Sequence, residues 1–312
     1  MVRPAKESDS IPRRPVLPSP CARNNNVLSV RAPAKINWFL HVLKKRHDGY
    51  HDIVSLMQCV SLHDELIFEH ADSIVVESDL DIPVSENLVY KAASFLQQYA
   101  SCRKGARIIL RKQIPLSAGL GGGSSDAAYT LSGLNTLWEL GLPREELCFI
   151  GARIGSDIPF FFHAPAALVE GKGDSVKPLK MDLFFWLLLV KPDITVSTAW
   201  AYAAFDLMPG PALTKKPLDI KLFCQGLHKQ DFLSLAHLLS NDLEEVVMRE
   251  YPAVGDIKHK LIEMGAEISL MSGSGPTVFG VFRTREKAEN ALTVMKPHWC
   301  CIVQTLIKKS EK

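Results

Sequence analysis

A glycine-rich stretch that ends in two serines has the clearest capacity for chemistry in this sequence. Four glycines fall within five positions, and a run that favours a helix follows at 127–140. Glycine adopts positive φ readily and lets another group come close to the backbone. A helix that starts after such a loop points unpaired N–H groups and the positive end of its dipole into the loop, so the pattern predicts a phosphate site. The residues of this loop are Pro115, Leu116, Ser117, Ala118, Gly119, Leu120, Gly121, Gly122, Gly123, Ser124 and Ser125.

Two common glycine motifs do not fit this loop. A Walker A loop needs Gly-Lys-Ser/Thr, which is missing at that spacing, and Ser124 stands where the dinucleotide pattern has its third glycine. A flexible surface linker is the remaining alternative. It is disfavoured because an alternating strand pattern at Ala106, Ile108 and Leu110 precedes the loop and an amphipathic helix follows it.

Asp157 and Lys35 have side chains that suit phosphoryl transfer, although each also has an ordinary explanation. Asp157 lies between Gly155 and Pro159 in a bent segment, where residue type alone favours a turn or N-cap aspartate. Lys35 by itself is typical of a solvated lysine at a strand edge. A lysine beside a carboxylate and a substrate hydroxyl would keep the carboxylate ionised and favour an alkoxide-like state.

These residues need elements to position them, and the first half of the chain reads as a sheet with helices. Apolar alternation predicts strands at 28–31, 36–43, 51–62, 65–70, 73–77 and 106–114. A helix capped by Ser85 separates the last two strands. After the glycine loop and its helix, Gly141 ends that helix, and Pro143 opens another that runs to about residue 153.

The second half of the chain predicts a different arrangement, with a boundary near residue 180. A buried strand at 184–190 is followed by helices at 197–205, 217–226, 231–238 and 242–250. The tail then reads helix 253–264, strand 266–271, a glycine-serine loop, strand 277–282, helix 284–295 and strand 299–306. This order is a split β-α-β arrangement of the ferredoxin-like type.

Composition limits the classes of function. The 312 residues suggest two domains, with 47% hydrophobic and 22% charged residues as in ordinary globular proteins. A net charge of +2 gives no basic signal for nucleic acid. The longest apolar run, residues 183–190, is too short to span a bilayer. The seven cysteines are odd in number and lack metal-site spacing, so we expect reduced thiols in a cytoplasmic protein.

Residues 1–26 differ in composition from the rest and are expected to be disordered. They contain five prolines, several arginines and an asparagine triplet without periodicity. They lack the apolar core of a secretory signal. Plastid import is the less favoured alternative because Glu7, Asp9 and the prolines argue against a transit peptide.

Three separated stretches together resemble a known family. Residues 33–37, 115–125 and 271–276 look like the three motifs of the GHMP kinase superfamily, in the same order along the chain. The stretches 33–40, 46–51 and 155–160 are most similar to those members that phosphorylate a cytidine diphosphate conjugate of methylerythritol. The resemblance covers about residues 28–306. Ser117 departs from the pattern, because it replaces a glycine that the family often has in the phosphate loop.

The resemblance implies a two-domain α+β fold and a reaction. The fold would have a ribosomal-protein-S5-like N-terminal domain at 27–180, which binds ATP, and a ferredoxin-like C-terminal domain at 181–312 on the substrate side. The reaction would move a phosphoryl group from ATP, with Mg²⁺, to the 2-hydroxyl group of that small-molecule conjugate, in the non-mevalonate isoprenoid route. The products would be the 2-phosphate and ADP. No nucleic acid or membrane partner is expected, and monomer and homodimer both remain open.

The resemblance also implies roles for single residues. Asp157 would be the general base and Lys35 its electrostatic partner, with the glycine loop as the ATP site. The sequence leaves the metal ligands unassigned: Ser125 is a candidate, and Asp126 either joins it or only serves the helix dipole. Trp200 competes with Tyr202 for the second aromatic of the cytidine site, and core packing is the alternative for both. The substrate-binding set is Asn37, Tyr50, His51, Thr198 and Tyr202, and the supporting loop is Ser272, Gly273, Ser274 and Gly275.

Two rival functions remain at the level of sequence. One is a related GHMP kinase that acts on mevalonate, homoserine or a sugar. The other is a non-catalytic nucleotide-binding module. Tyr50 and His51 argue against the first rival, and the joint presence of Lys35 and Asp157 argues against the second.

Overall fold

The computed structural model describes residues 22–24, 27–80, 82–208, 219–235 and 238–308. The extension for which disorder is expected, residues 1–26, lies outside this part except for one short strand. The described elements form two sheets that are covered by helices. This arrangement confirms the α+β prediction.

The first sheet is built around two very long antiparallel strands, the second and third of the chain. In the described residues its order is β1-β2-β3-β5-β4, with β6 pairing β3 and β7 pairing β6. Its strands are β1 (Ala22–Asn24), β2 (Val27–Lys45), β3 (His51–Ala71), β4 (Ile74–Ser78), β5 (Gly105–Arg111), β6 (Ala166–Gly171) and β7 (Ser175–Pro178).

Within the described ranges, four α-helices cover this sheet and bury a shared core. The helix that follows the glycine loop packs on the two long strands, and the others pack beside it. These helices are α1 (Leu88–Tyr99), α2 (Gly122–Leu137), α3 (Arg144–Ile154) and α4 (Ile158–Phe162).

The second sheet has four antiparallel strands in the order β11-β8-β10-β9, which is the ferredoxin-like order expected from the sequence. Its strands are β8 (Trp186–Lys191), β9 (Ile268–Met271), β10 (Val278–Phe282) and β11 (Trp299–Gln304). Its helices are α5 (Thr198–Asp206), α6 (Ile220–Lys229), α7 (Phe232–Leu235), α8 (Glu244–Glu250), α9 (Pro252–Glu263) and α10 (Arg285–Val294). No helix in these described ranges is both long enough and apolar enough to cross a bilayer.

Several predicted boundaries were wrong, and the reasons are local. Breaks between strands were expected after residues 31 and 62, but β2 runs through the first position and β3 through the second. The pairing of these two strands shifts register near Pro33 and Asn37. A bulge accommodates a proline that has no N–H for the ladder. Ser85 lies in a short 3₁₀ turn, and Asn87 caps α1 by accepting a hydrogen bond from the N–H of Val89 at 2.9 Å.

The helix after the glycine loop is shifted relative to the prediction. It begins at Gly122 instead of residue 127, so the end of the glycine loop forms its first turn. It ends at Leu137 because Glu139 adopts φ 57°, which a right-handed helix cannot continue through. The loop therefore lies directly on the helix N-terminus, where unpaired N–H groups are available.

The two sheets share buried side chains. The Trp38 ring lies 5.3 Å from Phe185 and 6.2 Å from Phe279, measured between ring centroids. Its indole N–H donates to Gln58, whose amide in turn donates to the carbonyl of Leu306 at 2.9 Å. The second sheet therefore packs against the first through a continuous core.

Candidate active site

A cleft of about 980 Å³ lies where the two sheets meet. The glycine loop forms one wall, the serine-glycine loop at 273–275 another, and the segment at 195–199 a third. Side chains of β2 and of the start of β3 form the floor. The topology thus brings stretches that are far apart in the sequence to one place.

The glycine loop takes left-handed backbone at three positions. Ser117, Gly119 and Gly121 have φ of 48°, 73° and 69°. Gly121 is the N-cap of α2, and its carbonyl accepts the N–H of Ser125 at 2.9 Å. The loop is anchored to β2 because the N–H of Lys35 donates to the carbonyl of Leu120 at 2.9 Å. Positive φ turns peptide groups so that successive N–H groups line a concave, anion-binding surface.

The serine-glycine loop packs directly on the glycine loop. A Cβ added to Gly119 would lie 2.1 Å from the carbonyl oxygen of Ser272, so only glycine fits there. The Ser272 hydroxyl donates to the carbonyl of Gly119 at 3.0 Å. Asn241, which the sequence did not single out, donates to the carbonyls of Met271 and Gly273 at 2.9 and 2.7 Å.

Lys35 is buried in the cleft floor, not solvated at a strand edge. Its Nζ donates to Oδ1 of Asn37 at 2.7 Å and lies 3.8 Å from Oδ2 of Asp157. Burial lowers the pKa of Lys35, and the charge of Asp157 offsets part of that effect. A Cβ on Gly121 would meet the Lys35 stem at 2.9 Å, so this side chain runs along the glycine loop.

Asn37 is held from both ends of its amide. Its Nδ2 donates to the Ser55 hydroxyl at 2.7 Å, and that hydroxyl donates to the carbonyl of Phe39 at 2.6 Å. Asn37 therefore orients Lys35, a contact that the sequence did not indicate. Ser55 was missed because nothing in its own neighbourhood distinguishes it.

Asp157 occupies the N-cap position of α4 without acting as a cap. Its side chain makes no capping hydrogen bond, and 30% of it is exposed. A carboxylate that neither caps the helix nor is fully buried faces the cleft beside Lys35. The ordinary N-cap interpretation therefore does not account for Asp157.

The far end of the cleft is aromatic. The rings of His51 and Tyr202 are stacked, with centroids 4.9 Å apart and planes inclined by 23°. Tyr50 is exposed, and the Nζ of Lys172 lies 5.7 Å from its ring centroid. Trp200 packs edge-on against Tyr251 instead, so Tyr202 is the aromatic of that segment that lies in the cleft.

Asp206 connects this aromatic end to both strands of the long hairpin. Its Oδ1 lies 2.7 Å from Nε2 of His51, and its Oδ2 accepts from Nζ of Lys45 at 2.6 Å. The sequence alone did not single out Asp206. Its position four residues after Tyr202 on α5 puts both on one helix face, and that spacing was the available signal.

One hydrogen bond joins two walls of the cleft. The hydroxyl of Thr198, at the start of α5, lies 2.8 Å from the hydroxyl of Ser274. Both residues had been assigned to the site, Thr198 to substrate and Ser274 to the supporting loop. The structure places them in direct contact at the mouth of the cleft.

Oxygen atoms that suit a hard cation lie at the base of the glycine loop. The hydroxyl of Ser125 and Oδ1 of Asp126 are buried and have no hydrogen-bond partner in the described structure. Lys112 pairs with Asp126 at 2.7 Å and also with Asp64. Burial raises the pKa of Asp126, an effect that Lys112 opposes. A hydroxyl and a carboxylate oxygen are ligands that Mg²⁺ accepts together with nucleotide phosphates, so the donor types fit that ion.

Comparison with known proteins gives matches in both halves of the chain. Residues 87–164 match the model of the GHMP kinases N terminal domain, and residues 223–299 match that of the GHMP kinases C terminal domain. The two matches fall in the described first and second sheets with their helices, respectively.

Relatives with curated names are similar over nearly their whole length. A protein of Thermodesulfovibrio yellowstonii is 51% identical over 282 residues, which is 90% of this chain and 99% of the relative. One of Pelobacter propionicus is 42% identical over 268 residues, which is 85% of this chain and 92% of the relative. Both are named 4-diphosphocytidyl-2-C-methyl-D-erythritol kinase.

Solved structures agree with the fold. A crystal structure of 4-(cytidine 5'-diphospho)-2C-methyl-D-erythritol kinase has a TM-score of 0.76 and 30% identity, and the match covers 89% of this chain and 98% of that one. A homoserine kinase of Cytophaga hutchinsonii has a TM-score of 0.67 with 18% identity, covering 92% and 96% of the two chains, which supports the fold alone.

Proposed function

The chain belongs to the GHMP kinase family, and on that premise we propose that it phosphorylates 4-diphosphocytidyl-2-C-methyl-D-erythritol with ATP. The acceptor is the 2-hydroxyl group, and the products are the 2-phosphate and ADP, a step of the methylerythritol phosphate route to isoprenoids. The observation that carries the proposal is the pair of Lys35 and Asp157, 3.8 Å apart, in the cleft that the glycine loop and the His51–Tyr202 stack also line.

Asp157 acts as the general base in this proposal. Its carboxylate accepts the proton of the acceptor hydroxyl as that oxygen attacks the γ-phosphorus of ATP, and the bond between the γ-phosphorus and the bridging oxygen breaks to release ADP. The exposed 30% of the side chain leaves a carboxylate oxygen open to a substrate hydroxyl. Support comes from the missing capping bond, because the carboxylate is not committed to the helix.

Lys35 acts as the electrostatic partner of this base. Its ammonium group, held by Asn37 at 2.7 Å, attracts the carboxylate and the oxygen on which negative charge develops. The burial that lowers the pKa of Lys35 also excludes water from its ammonium group, and this strengthens the attraction between that group and negative charge. Asn37 orients Lys35, and its remaining amide proton is available to substrate.

The glycine loop binds the donor phosphates. Its residues from Ser117 to Ser124 line the cleft, and the N-terminus of α2 supplies N–H groups and the positive end of a helix dipole. Mg²⁺, when bound, neutralises charge on the donor phosphates. Ser125 and Asp126 are the residues that would hold it.

The stacked aromatic end takes the cytosine base. Tyr202 provides an aromatic face on which the base can lie edge-on to the His51 ring, and exposed Tyr50 can cover the opposite face of the base. Thr198 lines the same cleft and contacts Ser274, and we assign it to the acceptor part of the substrate. We further propose that the domain boundary lies near residue 180, between β7 and β8, and that the enzyme acts in the cytoplasm.

An acceptor panel tests the function. The purified chain is incubated with ATP, Mg²⁺ and one acceptor at a time: the cytidine conjugate, mevalonate, homoserine or a sugar. We expect ADP release that depends on the cytidine conjugate, with phosphate recovered on its 2-hydroxyl group. Phosphorylation of mevalonate alone would refute the substrate, and ATP binding without acceptor-dependent ADP release would favour a non-catalytic module.

A further inference from the structure

We propose that Asp206 is a positioning residue that fixes the tautomer of His51 and thereby makes the site select cytosine over uracil. The inference rests on the proposed function, since it assumes that a pyrimidine base binds beside the His51–Tyr202 stack. It adds a residue, and a reason for base selectivity, to that site.

The first step is the charge state of Asp206. Partial burial would raise its pKa, but the hydrogen bonds from Lys45 and His51 outweigh burial and lower it. An ionised carboxylate only accepts hydrogen bonds. At 2.7 Å from Oδ1 of Asp206, the Nε2 atom of His51 must therefore carry the proton.

The second step concerns the other ring nitrogen. A neutral imidazole with its proton on Nε2 has a hydrogen-bond acceptor at Nδ1. No hydrogen bond within the described part of the chain engages Nδ1 of His51, and His51 is among the residues that line the cleft, with 6% of its side chain exposed. Stacking on Tyr202 fixes the ring plane, so the acceptor has a defined direction.

The third step matches this acceptor to a base. Cytosine presents an exocyclic amino group, which donates, where uracil presents a carbonyl oxygen, which accepts. An acceptor at Nδ1 pairs with the amino group but faces the lone pairs of the carbonyl. Specificity of this kind comes from rejecting the wrong partner as well as from binding the right one.

The location of Asp206 argues against a role in helix stability. It is the last residue of α5, where the helix dipole disfavours a negative charge. Its carboxylate is instead satisfied by two residues of the long hairpin, Lys45 at the end of β2 and His51 at the start of β3. The acid therefore serves the cleft and not its own helix.

The test compares two substrates, the cytidine diphosphate conjugate and its uridine counterpart. The values of kcat/KM for both are measured at about pH 8, where an ordinary imidazole is neutral. The wild-type chain is expected to prefer the cytidine conjugate. Asp206→Asn is expected to lower this preference about tenfold to a hundredfold, because its amide can present a donor to Nε2 and move the proton to Nδ1. The loss is expected in KM for the cytidine conjugate, with kcat little changed.

Two further variants separate positioning from structure. Lys44→Met removes a neighbouring positive charge of β2 that pairs with Asp52 and lies outside the cleft, so the preference is expected to stay near that of the wild type. Asp206→Glu keeps an ionised acceptor and is expected to restore much of the preference. If Asp206→Asn fails to fold, as judged by circular dichroism, Asp206→Ala is measured in its place.

A spectroscopic readout tests the tautomer without any substrate. In protein labelled with ¹⁵N-histidine, the His51 signals are assigned from their disappearance in His51→Gln. The wild type is expected to show Nε2 protonated, and Asp206→Asn to show a shift towards protonated Nδ1.

The outcomes distinguish this inference from the proposed function. An unchanged base preference in a folded Asp206→Asn variant would overturn the inference while the kinase activity stands. A wild-type chain that phosphorylates neither conjugate would refute the proposed function and with it the selectivity. In that case the spectra still show which ring nitrogen of His51 carries the proton, and a protonated Nδ1 in the wild type would overturn the proposed tautomer.

Discussion

At the scale of single residues, the proposed chemistry depends on the pair formed by Lys35 and Asp157. We expect Asp157→Asn to lower kcat by about 10²–10⁴-fold, because an amide cannot accept the hydroxyl proton. The KM for ATP is expected to change little, since Asp157 is not part of the glycine loop. ADP release in a coupled assay measures both parameters.

The matched control for this change is Asp182→Asn. Asp182 is exposed, pairs with Lys180 at 3.5 Å and lies outside the cleft, so its loss is expected to leave kcat unchanged. Turnover near the wild-type value in Asp157→Asn would remove the proposed base.

The buried Lys35 is expected to make stability depend on pH. Burial lowers the pKa of Lys35 from 10.5. Between the lowered pKa and 10.5, the folded state therefore binds fewer protons than the unfolded state, and the unfolding free energy of the wild type rises with pH. Lys35→Met cannot titrate. The difference in unfolding free energy between variant and wild type should therefore fall as pH rises from neutral towards 10.5, as measured by urea unfolding.

Lys180→Met removes an exposed positive charge and controls for net charge in this comparison. A Lys35→Met difference that stays constant with pH, or changes as much as in the control, would contradict a burial effect.

The resemblance to the family selected Lys35, Asp157 and the aromatic residues, for which residue type alone favoured or allowed ordinary roles, but it did not select the residues that support them. Ser55 reaches the site from β3 and Asn241 from the segment before α8, so no local pattern reports them. Contacts of this kind depend on strand register, which a single sequence does not specify. Asp206 was also missed, although its helical spacing from Tyr202 was a local signal that could have found it.

At the scale of elements, the contact between the glycine loop and the serine-glycine loop is expected to control ATP binding. Gly119→Ala would place a methyl group 2.1 Å from the carbonyl oxygen of Ser272, at φ 73°. The loops would have to separate, which would misplace the donor phosphates. We expect kcat/KM for ATP to fall about tenfold to a hundredfold.

Gly141→Ala is the matched control for backbone strain. Gly141 has φ 67°, but a Cβ there would meet open space. This variant is expected to cost about 1–2 kcal/mol of stability through the left-handed backbone alone, with unchanged ATP kinetics. Equal kinetics in the two variants would mean that the contact between the loops does not matter to the donor.

Elements were predicted better than their ends. The type and order of the strands followed from alternation, yet the merging of four predicted segments into β2 and β3 did not, because proline and polar residues there normally mark a break. The choice of Asn87 over Ser85 as the cap of α1 also escaped prediction. Both residues suit an N-cap, and only the three-dimensional path of the chain selects one.

At the scale of the whole molecule, the shared core is expected to make both sheets unfold together. Trp38 is fully buried between them. Trp38→Ala should lower the unfolding free energy by about 3–5 kcal/mol through the cavity it leaves, and the partner of its indole N–H, Gln58, would lose a buried bond. Hydrogen exchange is expected to show protection falling in both sheets.

Trp186→Ala provides a comparison within one sheet. Trp186 is only partly buried, at the start of β8, so its replacement is expected to lower the unfolding free energy by less than Trp38→Ala does. Loss of protection confined to one sheet in Trp38→Ala would show that the two sheets unfold independently.

The return of the chain end to the first sheet constrains how this enzyme can be divided or recombined. Leu306 belongs to the core of the first sheet, and its N–H donates to the carbonyl of Cys59 at 2.8 Å, next to the bridge between Val60 and Thr305. A fragment cut near residue 180 would leave the first sheet without these residues. A chimera that exchanges acceptor specificity between relatives should therefore keep the segment after β11 with the parent that supplies the ATP-binding half.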